Sequence, residues 1–575
     1  MDFILFKKTK ERGFDISNKY AQSFNIFQNR GQKLSKIIET EHFHISLFDG
    51  LNTACFYKIF ENGDFIVTLG TLIYKENFGE EVLQILYKDI KSNKSDLYND
   101  LMGGYCVITC IDGQIFVFND FLGLKRVYYN EDESIYSSSF LAITKAIPQK
   151  TKSEQEIFEY LIRGGMYGDN TVLKEIKLIP RSTLVCVNNK QSNRTLKYTY
   201  NKLPFFDNFN KMVDYATKEY IQAFEIIVKI FGVNITTALS GGYDTRFMLS
   251  LLRVNGITPT IYVYGGDNSS DVKIAKSIAK GEGFHIEHIN RELKYPIEIT
   301  EYKEIVESNF YYFDGLSNGG IFDNGMDIIT RKNRSDGGML QLNGAGGEIW
   351  RNFWMLNKYN KRPIDFVRHK WDIYDYTAYT ETFNKVEYFK NFTKKLLKSI
   401  ELPEDIPMIT RKQMEMSYPL YRYRYWQSLG NSTNLLFSNS LMPLMETRFL
   451  YPSFDIPIEF KYNGRFEAAM IEKVDKRMAK YNSNYGFNFM GQPPFKDRSK
   501  NFVLRNIPLI IKPLLRNKFS KKNKEIKPYF LDGQYSSQFF DLNDLIISEY
   551  VDIKKLNNPA SLSRALSLEY FLRNI

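Results

Sequence analysis

Short apolar runs separated by turn residues fill the first two hundred positions, which is the pattern of β-strands. Asp64–Leu69 and Tyr105–Cys110 are two such runs. Tyr105–Cys110 and Ile115–Asn119 flank an Asp-Gly pair, which supplies the positive φ angles of a tight turn and predicts a hairpin. Glu80–Ile90 instead places apolar residues at helical spacing. We therefore expect an α+β region of antiparallel sheets with helices.

From about Phe205 the pattern changes to buried strands that alternate with amphipathic helices. This alternation implies a parallel sheet with crossover helices. The pattern of the remaining chain is mostly helical. The predicted elements are a helix at Asn210–Ile230, a strand at Ile235–Leu239, a helix from Asp244, a strand at Thr260–Tyr264, a helix at Asp271–Lys280 and a strand near Phe284–Ile289.

The length of 575 residues exceeds what one hydrophobic core normally serves, so we expect two domains, at residues 1–200 and 205–575. The four cysteines contain no CxxC pair and the five histidines have no zinc-finger spacing, so we expect neither disulfides nor structural zinc. The sequence shows no signal-peptide core and no apolar run of membrane-spanning length. The expected location is the cytoplasm.

The net charge of +11 is spread over a long chain, and residues 495–530 are the stretch that concentrates Lys and Arg, around an apolar run. A solvated basic face is the interpretation that we favour for this segment. Peripheral contact with a membrane surface, or with an anionic polymer, is the alternative. We expect no nucleic-acid partner, and the sequence leaves a homodimer open.

The most informative stretch is ITTALSGGYDTRFMLSLL, residues 235–252, in which a predicted strand ends in a glycine turn and a helix follows. Glycines let backbone N–H groups approach a phosphate oxygen, and the helix N-terminus adds a partial positive charge. Asp244 would repel phosphate, which suggests that Mg²⁺ bridges the two. The alternative is an ordinary strand-to-helix turn that Asp244 caps. The candidate phosphate ligands are Ser240, Gly241, Gly242 and Thr245.

The sequence SGGYDT resembles the SGGxDS pyrophosphate loop of N-type ATP pyrophosphatases, and Thr245 keeps the hydroxyl. Gly103–Tyr129 resembles the N-terminal domain of asparagine synthetases, in which a strand hairpin precedes a D-x-x-G-x-K-P-L-Y-Y segment. Leu342–Trp350 resembles the L-S-G-E-G-S-D-E loop of the same family. The resemblance implies an α+β glutaminase-like (Ntn) domain, followed by an α/β ATP-pyrophosphatase domain with a largely helical C-terminal part.

The resemblance also implies catalytic roles, with ATP and Mg²⁺ as cofactors. Glu348 stands where the family has its metal- or pyrophosphate-side Asp, and with Asp244 it would complete a clamp that holds the metal ion. For Glu348 the alternative is a tight turn before a helix. Arg246 and Lys273 are candidates for neutralising charge as it develops on the phosphates.

Further binding residues follow from the same resemblance. The family's strand after the loop contacts adenine, which points to Val263 and Gly265. The next helix carries an acidic residue in the family, here Asp271, for which a surface helix cap is the alternative. Gly344 and Gly346 match the second glycine turn.

The N-terminal region departs from the family where glutamine hydrolysis would take place. A working glutaminase of this class has a nucleophilic Cys after the initiator Met, and this chain has Asp2. The family's N-G-E segment, which binds the amide, reads Leu69-Gly70-Thr71 here. We therefore expect no glutaminase activity.

Two catalytic positions of the synthetase region also differ. The family's catalytic Glu falls at Ala345 and its pyrophosphate-side Lys at Ala468, although Lys473 or Lys461 could substitute in a shifted register. A divergent acceptor is implied, and an inactive enzyme is the alternative.

The predicted function is an ATP-dependent ligase that adenylates a carboxylate and transfers it to ammonia or an amine. The carboxylate would belong to a small molecule, a peptide or a saccharide. One alternative is an ammonia-dependent asparagine synthetase that acts on free aspartate. Another is a catalytically silent scaffold or binding protein.

Overall fold

A computed structural model describes residues 1–8, 16–200, 202, 207–291, 296–336, 339–372, 375–509, 511–512 and 527–575. These residues form a mixed α+β protein with antiparallel sheets in the N-terminal part, a parallel sheet further on and a helical C-terminal part. No helix within these ranges is long and apolar enough to cross a membrane. The predicted linker between residues 200 and 205 falls largely outside the described residues, and the division into two domains stays a prediction.

The N-terminal part contains two six-stranded antiparallel sheets, in the orders β13-β11-β12-β1-β3-β2 and β15-β14-β10-β9-β5-β4, and a small sheet β7-β6-β8. The strands are β1 (Asp2–Lys7), β2 (Leu34–Glu39), β3 (Phe43–Phe48), β4 (Phe56–Ile59), β5 (Phe65–Gly70), β6 (Ile73–Tyr74), β7 (Asn77–Phe78), β8 (Leu101–Met102), β9 (Tyr105–Ile111), β10 (Gln114–Asn119), β11 (Tyr128–Asn130), β12 (Ile135–Ser137), β13 (Ile176–Leu178), β14 (Thr183–Cys186) and β15 (Arg194–Thr195). The helices are α1 (Ile16–Asn29), α2 (Glu80–Lys91), α3 (Phe140–Ala146) and α4 (Glu154–Arg163).

The two large sheets share an apolar core to which alternate residues of β1, β3, β5, β9 and β10 contribute. Cys106 and Cys110 both lie in this core, and all four cysteines are buried and free. The predicted hairpin is confirmed, since Asp112 and Gly113 have φ angles of 51° and 77° between β9 and β10. The predicted amphipathic helix is α2, which buries Val82, Leu83, Leu86 and Ile90.

The second part is built on a five-stranded sheet in the order β18-β17-β16-β19-β20, with every neighbouring pair parallel. Its strands are β16 (Ile235–Ala238), β17 (Thr260–Tyr264), β18 (Glu287–Ile289), β19 (Leu340–Leu342) and β20 (Ser440–Leu441). Its helices are α5 (Phe209–Phe231), α6 (Tyr243–Val254), α7 (Ser270–Glu282), α8 (Ile299–Tyr312), α9 (Met326–Arg334), α10 (Pro363–Trp371), α11 (Lys385–Ser399), α12 (Arg411–Ser417), α13 (Arg424–Phe437), α14 (Thr447–Asp455), α15 (Ile458–Lys461), α16 (Arg465–Val474), α17 (Lys476–Lys480), α18 (Phe495–Asn506), α19 (Gly533–Ser536) and α20 (Pro559–Asn574).

The strand order of the parallel sheet reverses at β16. Successive strands β17 and β18 lie on one side of β16, whereas β19 and β20 lie on the other. Loops that leave neighbouring strands in opposite directions open a crevice at the carboxyl ends, where open α/β sheets bind ligands. This topological switch point lies between β16 and β19, directly beyond Ala238 and Leu342.

Buried polar contacts tie the two parts of the chain together. Arg126, which follows β10, donates hydrogen bonds to the Tyr425 carbonyl oxygen at 2.6 Å and to Ser428 Oγ at 2.8 Å, both in α13. The carboxylate of Asp314 accepts from the hydroxyl of Ser139 at 2.5 Å, at the start of α3. Because one apolar cluster also includes residues from both parts, the interface is packed like a core.

The position of the expected glutaminase nucleophile is filled by a buried ion cluster. Asp2 Oδ1 lies 2.5 Å from Lys125 Nζ and accepts from Ser138 Oγ at 2.8 Å, and Asp2 Oδ2 lies 3.1 Å from an Arg30 nitrogen. Burial opposes ionisation, yet Lys125 and Arg30 outweigh it and lower the pKa of Asp2. Asp2 therefore serves as the counter-ion of two buried cations.

Replacing Lys125 with Met should leave the Asp2 carboxylate buried beside Arg30 alone. Removing one partner of a buried pair costs about 3–5 kcal/mol. The matched control is Lys190→Met, because Lys190 pairs with Glu133 on the surface and exposed pairs contribute about 0–1 kcal/mol. Thermal denaturation should show a large drop in Tm for Lys125→Met only. Equal shifts in the two variants would contradict this account of the cluster.

Candidate functional site

The turn between β16 and α6 is held by two hydroxyl groups. The Ser240 N–H donates to Thr245 Oγ1 at 3.0 Å, and the Gly242 N–H donates to Ser240 Oγ at 3.2 Å. The two hydroxyl oxygens lie 3.0 Å apart. Ser240 and Thr245 thus fasten the turn to the first turn of α6, and the glycine backbone is shaped before any ligand arrives.

Gly241 lies between α7 and the chain that follows α17. Its N–H donates to Asp271 Oδ1 at 2.8 Å, and its carbonyl oxygen accepts from the Asn484 N–H at 3.2 Å. A Cβ on Gly241 would lie 2.8 Å from Ile274 Cδ1 and 2.9 Å from the Asn484 nitrogen. Only glycine fits here, and Asp271 holds the N–H that the sequence assigned to phosphate.

The second glycine turn follows β19 and meets the first at the switch point. A Cβ on Gly344 would lie 3.3 Å from Thr245 Cγ2. Gly346 has a φ of 116°, and a Cβ there would lie 2.0 Å from Met445 Cγ. A Cβ on Gly347 would lie 2.3 Å from Asp244 Oδ1 and 2.5 Å from Glu467 Oε1. The second turn therefore needs its glycines for close approach to α6 and to two carboxylates.

Three carboxylates surround the guanidinium of Arg351, and we call Asp244, Glu348 and Glu467 the carboxylate cluster. Arg351 Nη2 lies 2.8 Å from Asp244 Oδ1 and 3.6 Å from Glu348 Oε1, while Nε lies 2.9 Å from Glu467 Oε2. The Tyr418 hydroxyl donates to Glu348 Oε2 at 2.7 Å. The structure thus brings the two predicted carboxylates, Asp244 and Glu348, together and adds a third.

Burial dominates the electrostatics of the cluster. It raises the pKa of Asp244 and of Glu467, and Arg351 only partly offsets this effect. Burial also disfavours the charge of Arg351, but Asp244, Glu467 and Glu348 outweigh it and raise its pKa well above the ordinary value. The raised pKa values favour the protonated forms of Asp244 and Glu467, so the cluster holds less negative charge than its three carboxyl groups could carry.

The metal ion expected between Asp244 and Glu348 does not fit the observed arrangement. Carboxylate oxygens are the donors that Mg²⁺ prefers. However, the guanidinium of Arg351 fills the space where a shared cation would bind. Among the described residues, no group of three or more His, Cys, Asp or Glu side chains is placed to hold a metal.

Arg246 and Lys273 lie apart from the cluster. Arg246 is fully buried, and its guanidinium donates to the carbonyl oxygens of Met478, Tyr481 and Asn482 at 3.4, 2.7 and 2.9 Å. It fixes the chain after α17 against α6. Lys273 is exposed on the first turn of α7, and in the described part of the chain no ion pair links it to the cluster.

The predicted adenine contacts lie at the end of β17. The side chain of Val263 belongs to the apolar core beneath α7, so only its backbone faces the strand end. Gly265 has a φ of 135°, and its carbonyl oxygen lies 2.8 Å from His288 Nε2. A Cβ at Gly265 would lie 3.2 Å from the Ser269 side chain.

The substitutes considered for the missing lysine do not reach the cluster. Lys461 is buried and pairs with Glu415 at 3.2 Å. Lys473 lies on the outer face of α16 and pairs with Asp214 at 2.6 Å. Ala468 occupies the position at which the lysine was expected. The residue before it, Glu467, points into the site instead.

A cleft of about 480 Å³ opens beside the cluster. Glu348 and Arg351 line it, together with the rings of Tyr243, Tyr485 and Phe487. Its volume falls within the range of about 300–1,000 Å³ that is typical of small-molecule sites. Aromatic rings, several amides and charged side chains suit a ligand with both apolar and polar surfaces.

Arg351 and Glu467 are functional candidates that we did not predict. Glu467 shares a helical stripe with Met470 and Ile471, which are three and four residues further on and buried. A carboxylate on an apolar stripe is the signal that could have identified it, because buried charges are usually paired. Arg351 follows Glu348 by three residues and carries no comparable signal.

Comparison with known proteins leaves the chain without an established family. No protein-family model matches it, and no curated protein matches it. Among solved structures, 22 chains match. One of them is described as the allosteric regulatory enzyme of purine biosynthesis, and its sequence identity is 10% over 52% of this chain and 69% of that chain, with a TM-score of 0.21. A likeness at this TM-score supports no functional inference.

Replacing Arg351 with Met should destabilise the protein more at alkaline than at acidic pH. Without the guanidinium, the pKa values of Asp244 and Glu467, already raised by burial, should rise further. A carboxyl whose pKa is higher in the folded state loses stability as pH rises above its unfolded value of about 4. We expect a cost of about 3–5 kcal/mol at pH near 8, with a smaller cost near pH 5.

Thermal denaturation at the two pH values checks this. The control is Arg362→Met, which removes an exposed pair with Asp365 and should shift Tm little at either pH. An Arg351→Met loss of the same size at both pH values would show that packing, not charge compensation, is the role of Arg351.

Proposed function

We propose that the chain is an ATP-dependent ligase, which activates a carboxylate as an acyl-adenylate and transfers the acyl group to ammonia or an amine. The observation that carries this proposal is the meeting of two glycine turns at the switch point of the parallel sheet. The turns end β16 and β19, contact each other through Gly344 and Thr245, and adjoin the carboxylate cluster and its cleft. Open α/β sheets bind nucleotides in such crevices.

The proposed family is that of the asparagine synthetases, with residues 1–200 as a glutaminase-like domain and 205–575 as the synthetase domain. Two features of Asp2 support the absence of glutamine hydrolysis. A thioester intermediate needs a thiol, which a carboxylate does not provide, and the carboxylate is already engaged by Lys125 and Arg30 in a buried ion cluster. Ammonia or an amine would then reach the adenylate directly from solution or within the substrate itself.

ATP enters the proposed site as its magnesium complex, and the metal is part of the substrate. A phosphate oxygen would replace Asp271 as the acceptor of the Gly241 N–H, and the hydroxyls of Ser240 and Thr245 would rotate to donate to the phosphates. The exposed ammonium of Lys273, one turn along α7, is free to approach the same point. Adenine would pack against the backbone at Val263 and Gly265.

The chemistry divides into two balanced steps. An oxygen of the substrate carboxylate attacks the α-phosphorus, the bond from that phosphorus to its bridging oxygen breaks, and pyrophosphate leaves. The amine nitrogen then attacks the acyl carbon, the bond from that carbon to the phosphate oxygen breaks, and AMP leaves as the amine loses a proton. Glu348 lines the cleft and is placed to accept this proton, while Arg351 counters the charge of the cluster.

One observation favours a second candidate, a binding protein without catalysis. The N–H groups of Ser240, Gly241 and Gly242 all have partners within the protein, so the phosphate-binding turn is closed. A closed turn fits a scaffold that keeps the fold. It also fits a ligase in which ATP displaces Asp271 from the Gly241 N–H. A measurement of nucleotide binding distinguishes the binding protein from the ligase.

The proposal predicts ATP–pyrophosphate exchange that depends on one carboxylate. A panel of carboxylates that includes aspartate should reveal the acid. Asp244→Asn should reduce exchange at least a hundredfold, because it removes the ion pair with Arg351 that positions the cluster where the two glycine turns meet. The control Asp365→Asn removes a partly exposed carboxylate on α10 that pairs with Arg362, away from the glycine turns, and should leave exchange unchanged.

Three outcomes separate the candidates. Exchange with aspartate, together with asparagine formation from ammonium, would identify an asparagine synthetase. Exchange with another acid alone would identify a ligase of different specificity. No exchange with any acid, and no binding of MgATP, would refute the ligase and support the binding protein.

A further inference from the structure

Helix α18, residues Phe495–Asn506, buries none of its side chains. Three of its apolar residues are strongly exposed, with Phe495 at 76%, Phe502 at 57% and Val503 at 58%. They are spaced seven and eight residues from the first, which places them on one face of the helix. Among the described residues this face has no apolar partner of its own.

The opposite face of α18 borders the cleft. Asp497, Lys500 and Asn501 line the cleft and follow the i, i+3, i+4 spacing of a single face. Since each residue turns the helix by about 100°, this face points away from Phe495 and Phe502. The helix thus presents polar residues to the site and apolar residues to the outside.

The C-terminal end of α18 is attached to the body of the protein. The guanidinium of Arg505 lies 4.1 Å from the centre of the Tyr462 ring, and Asn357 Nδ2 donates to Asn506 Oδ1 at 3.4 Å. Shortly after the helix, Lys512 Nζ donates to the Met355 carbonyl oxygen at 3.0 Å. These contacts fix the apolar face in one orientation next to the cleft.

The same segment carries most of the net charge of the chain. Residues 495–527 contain eleven Lys and Arg against two Asp and Glu, a net charge of +9 out of +11 for the whole chain. Residues 510 and 513–526 of this segment lie outside the described residues. Within the helix, Lys496, Arg498 and Arg505 flank the apolar face.

We propose that α18 docks on an anionic lipid surface. Exposed aromatic and aliphatic side chains flanked by Lys and Arg are typical of helices that lie in the membrane interface, where the rings enter the acyl boundary and the cations contact lipid phosphates. A nucleic acid would satisfy the charges but would leave Val503 without an apolar environment. The sequence favoured a solvated basic face, and the exposed apolar face is what changes that interpretation.

Docking in this way would place the cleft about one helix diameter, roughly 10 Å, from the lipid headgroups. A substrate held at the membrane could then enter the cleft without crossing bulk water. The docking itself does not depend on the proposed ligase activity, so each inference can fail without the other.

Co-sedimentation of the full chain with vesicles tests this inference. Native protein should bind vesicles of phosphatidylcholine mixed with phosphatidylglycerol, bind phosphatidylcholine alone weakly, and lose affinity as salt rises. A triple variant, Phe495→Ser with Phe502→Ser and Val503→Ser, should bind the anionic vesicles at least tenfold more weakly. A double variant, Lys496→Glu with Arg498→Glu, should lose binding to a similar extent.

Matched controls change equally exposed residues elsewhere. Val233→Ser with Val386→Ser removes apolar side chains that are 68% and 67% exposed, and Lys390→Glu with Lys394→Glu reverses charges on α11. Both controls should bind like the native protein, and Tm should be unchanged in every variant because the altered residues are exposed.

Each remaining outcome overturns the inference. Absence of binding to anionic vesicles would exclude a lipid surface. Native-like binding by the Phe495, Phe502 and Val503 variant would show that charge alone acts, and equal losses in the controls would show non-specific adsorption. Binding to a single-stranded oligonucleotide but not to vesicles would identify a nucleic-acid partner in place of lipid.

Discussion

The parallel pairing of β16 with β19 is the constraint on which the rest of the candidate site depends. The two strands are about a hundred residues apart in sequence, and their register places Thr237 opposite Leu342. Because parallel strands end at the same edge, the two glycine turns emerge side by side. Glycine is required in both turns for contact, since a side chain on Gly241 or Gly346 would collide with neighbouring atoms. The strand pairing thus places two glycine motifs that are distant in sequence on the two sides of one crevice.

Charge compensation around Arg351 gives the crevice its chemical character. Three carboxylates that would repel one another in a partly buried place are held together by a single guanidinium. The same arrangement fills the place expected for a metal and leaves Glu348 facing the cleft. Beside it, Asp271 and Asn484 close the first turn around Gly241. The first turn is therefore closed, and a ligand must compete with protein groups for its N–H donors.

Sequence periodicity predicted the first three strands of the parallel sheet and the helices around them, because it reports local burial. The ends of α5 and α7 lie within two residues of the prediction, and α6 starts one residue before the predicted Asp244. The strand predicted at Thr260–Tyr264 has those bounds, whereas β18 pairs over Glu287–Ile289 only. Contacts between distant segments could not be predicted in this way. Glu467 reaches Arg351 because α16 packs against the short turn at residues 347–350 that directly precedes Arg351, and no local pattern encodes that packing. Arg246, which the resemblance assigned to the phosphates, is instead buried against carbonyl oxygens of the distant chain after α17, a contact of the same long-range kind.

Equilibrium titration with MgATP of native protein, Gly241→Ala and Gly319→Ala tests the central claim most directly. A Cβ at Gly241 would press on the Asn484 backbone, whereas one at Gly319 meets open space. If the first turn binds the phosphates, the native protein and Gly319→Ala should bind MgATP alike. Gly241→Ala should bind at least tenfold more weakly, a loss of about 1.4 kcal/mol or more. No saturable binding by the native protein, or equal affinity in all three, would contradict a nucleotide site at the switch point.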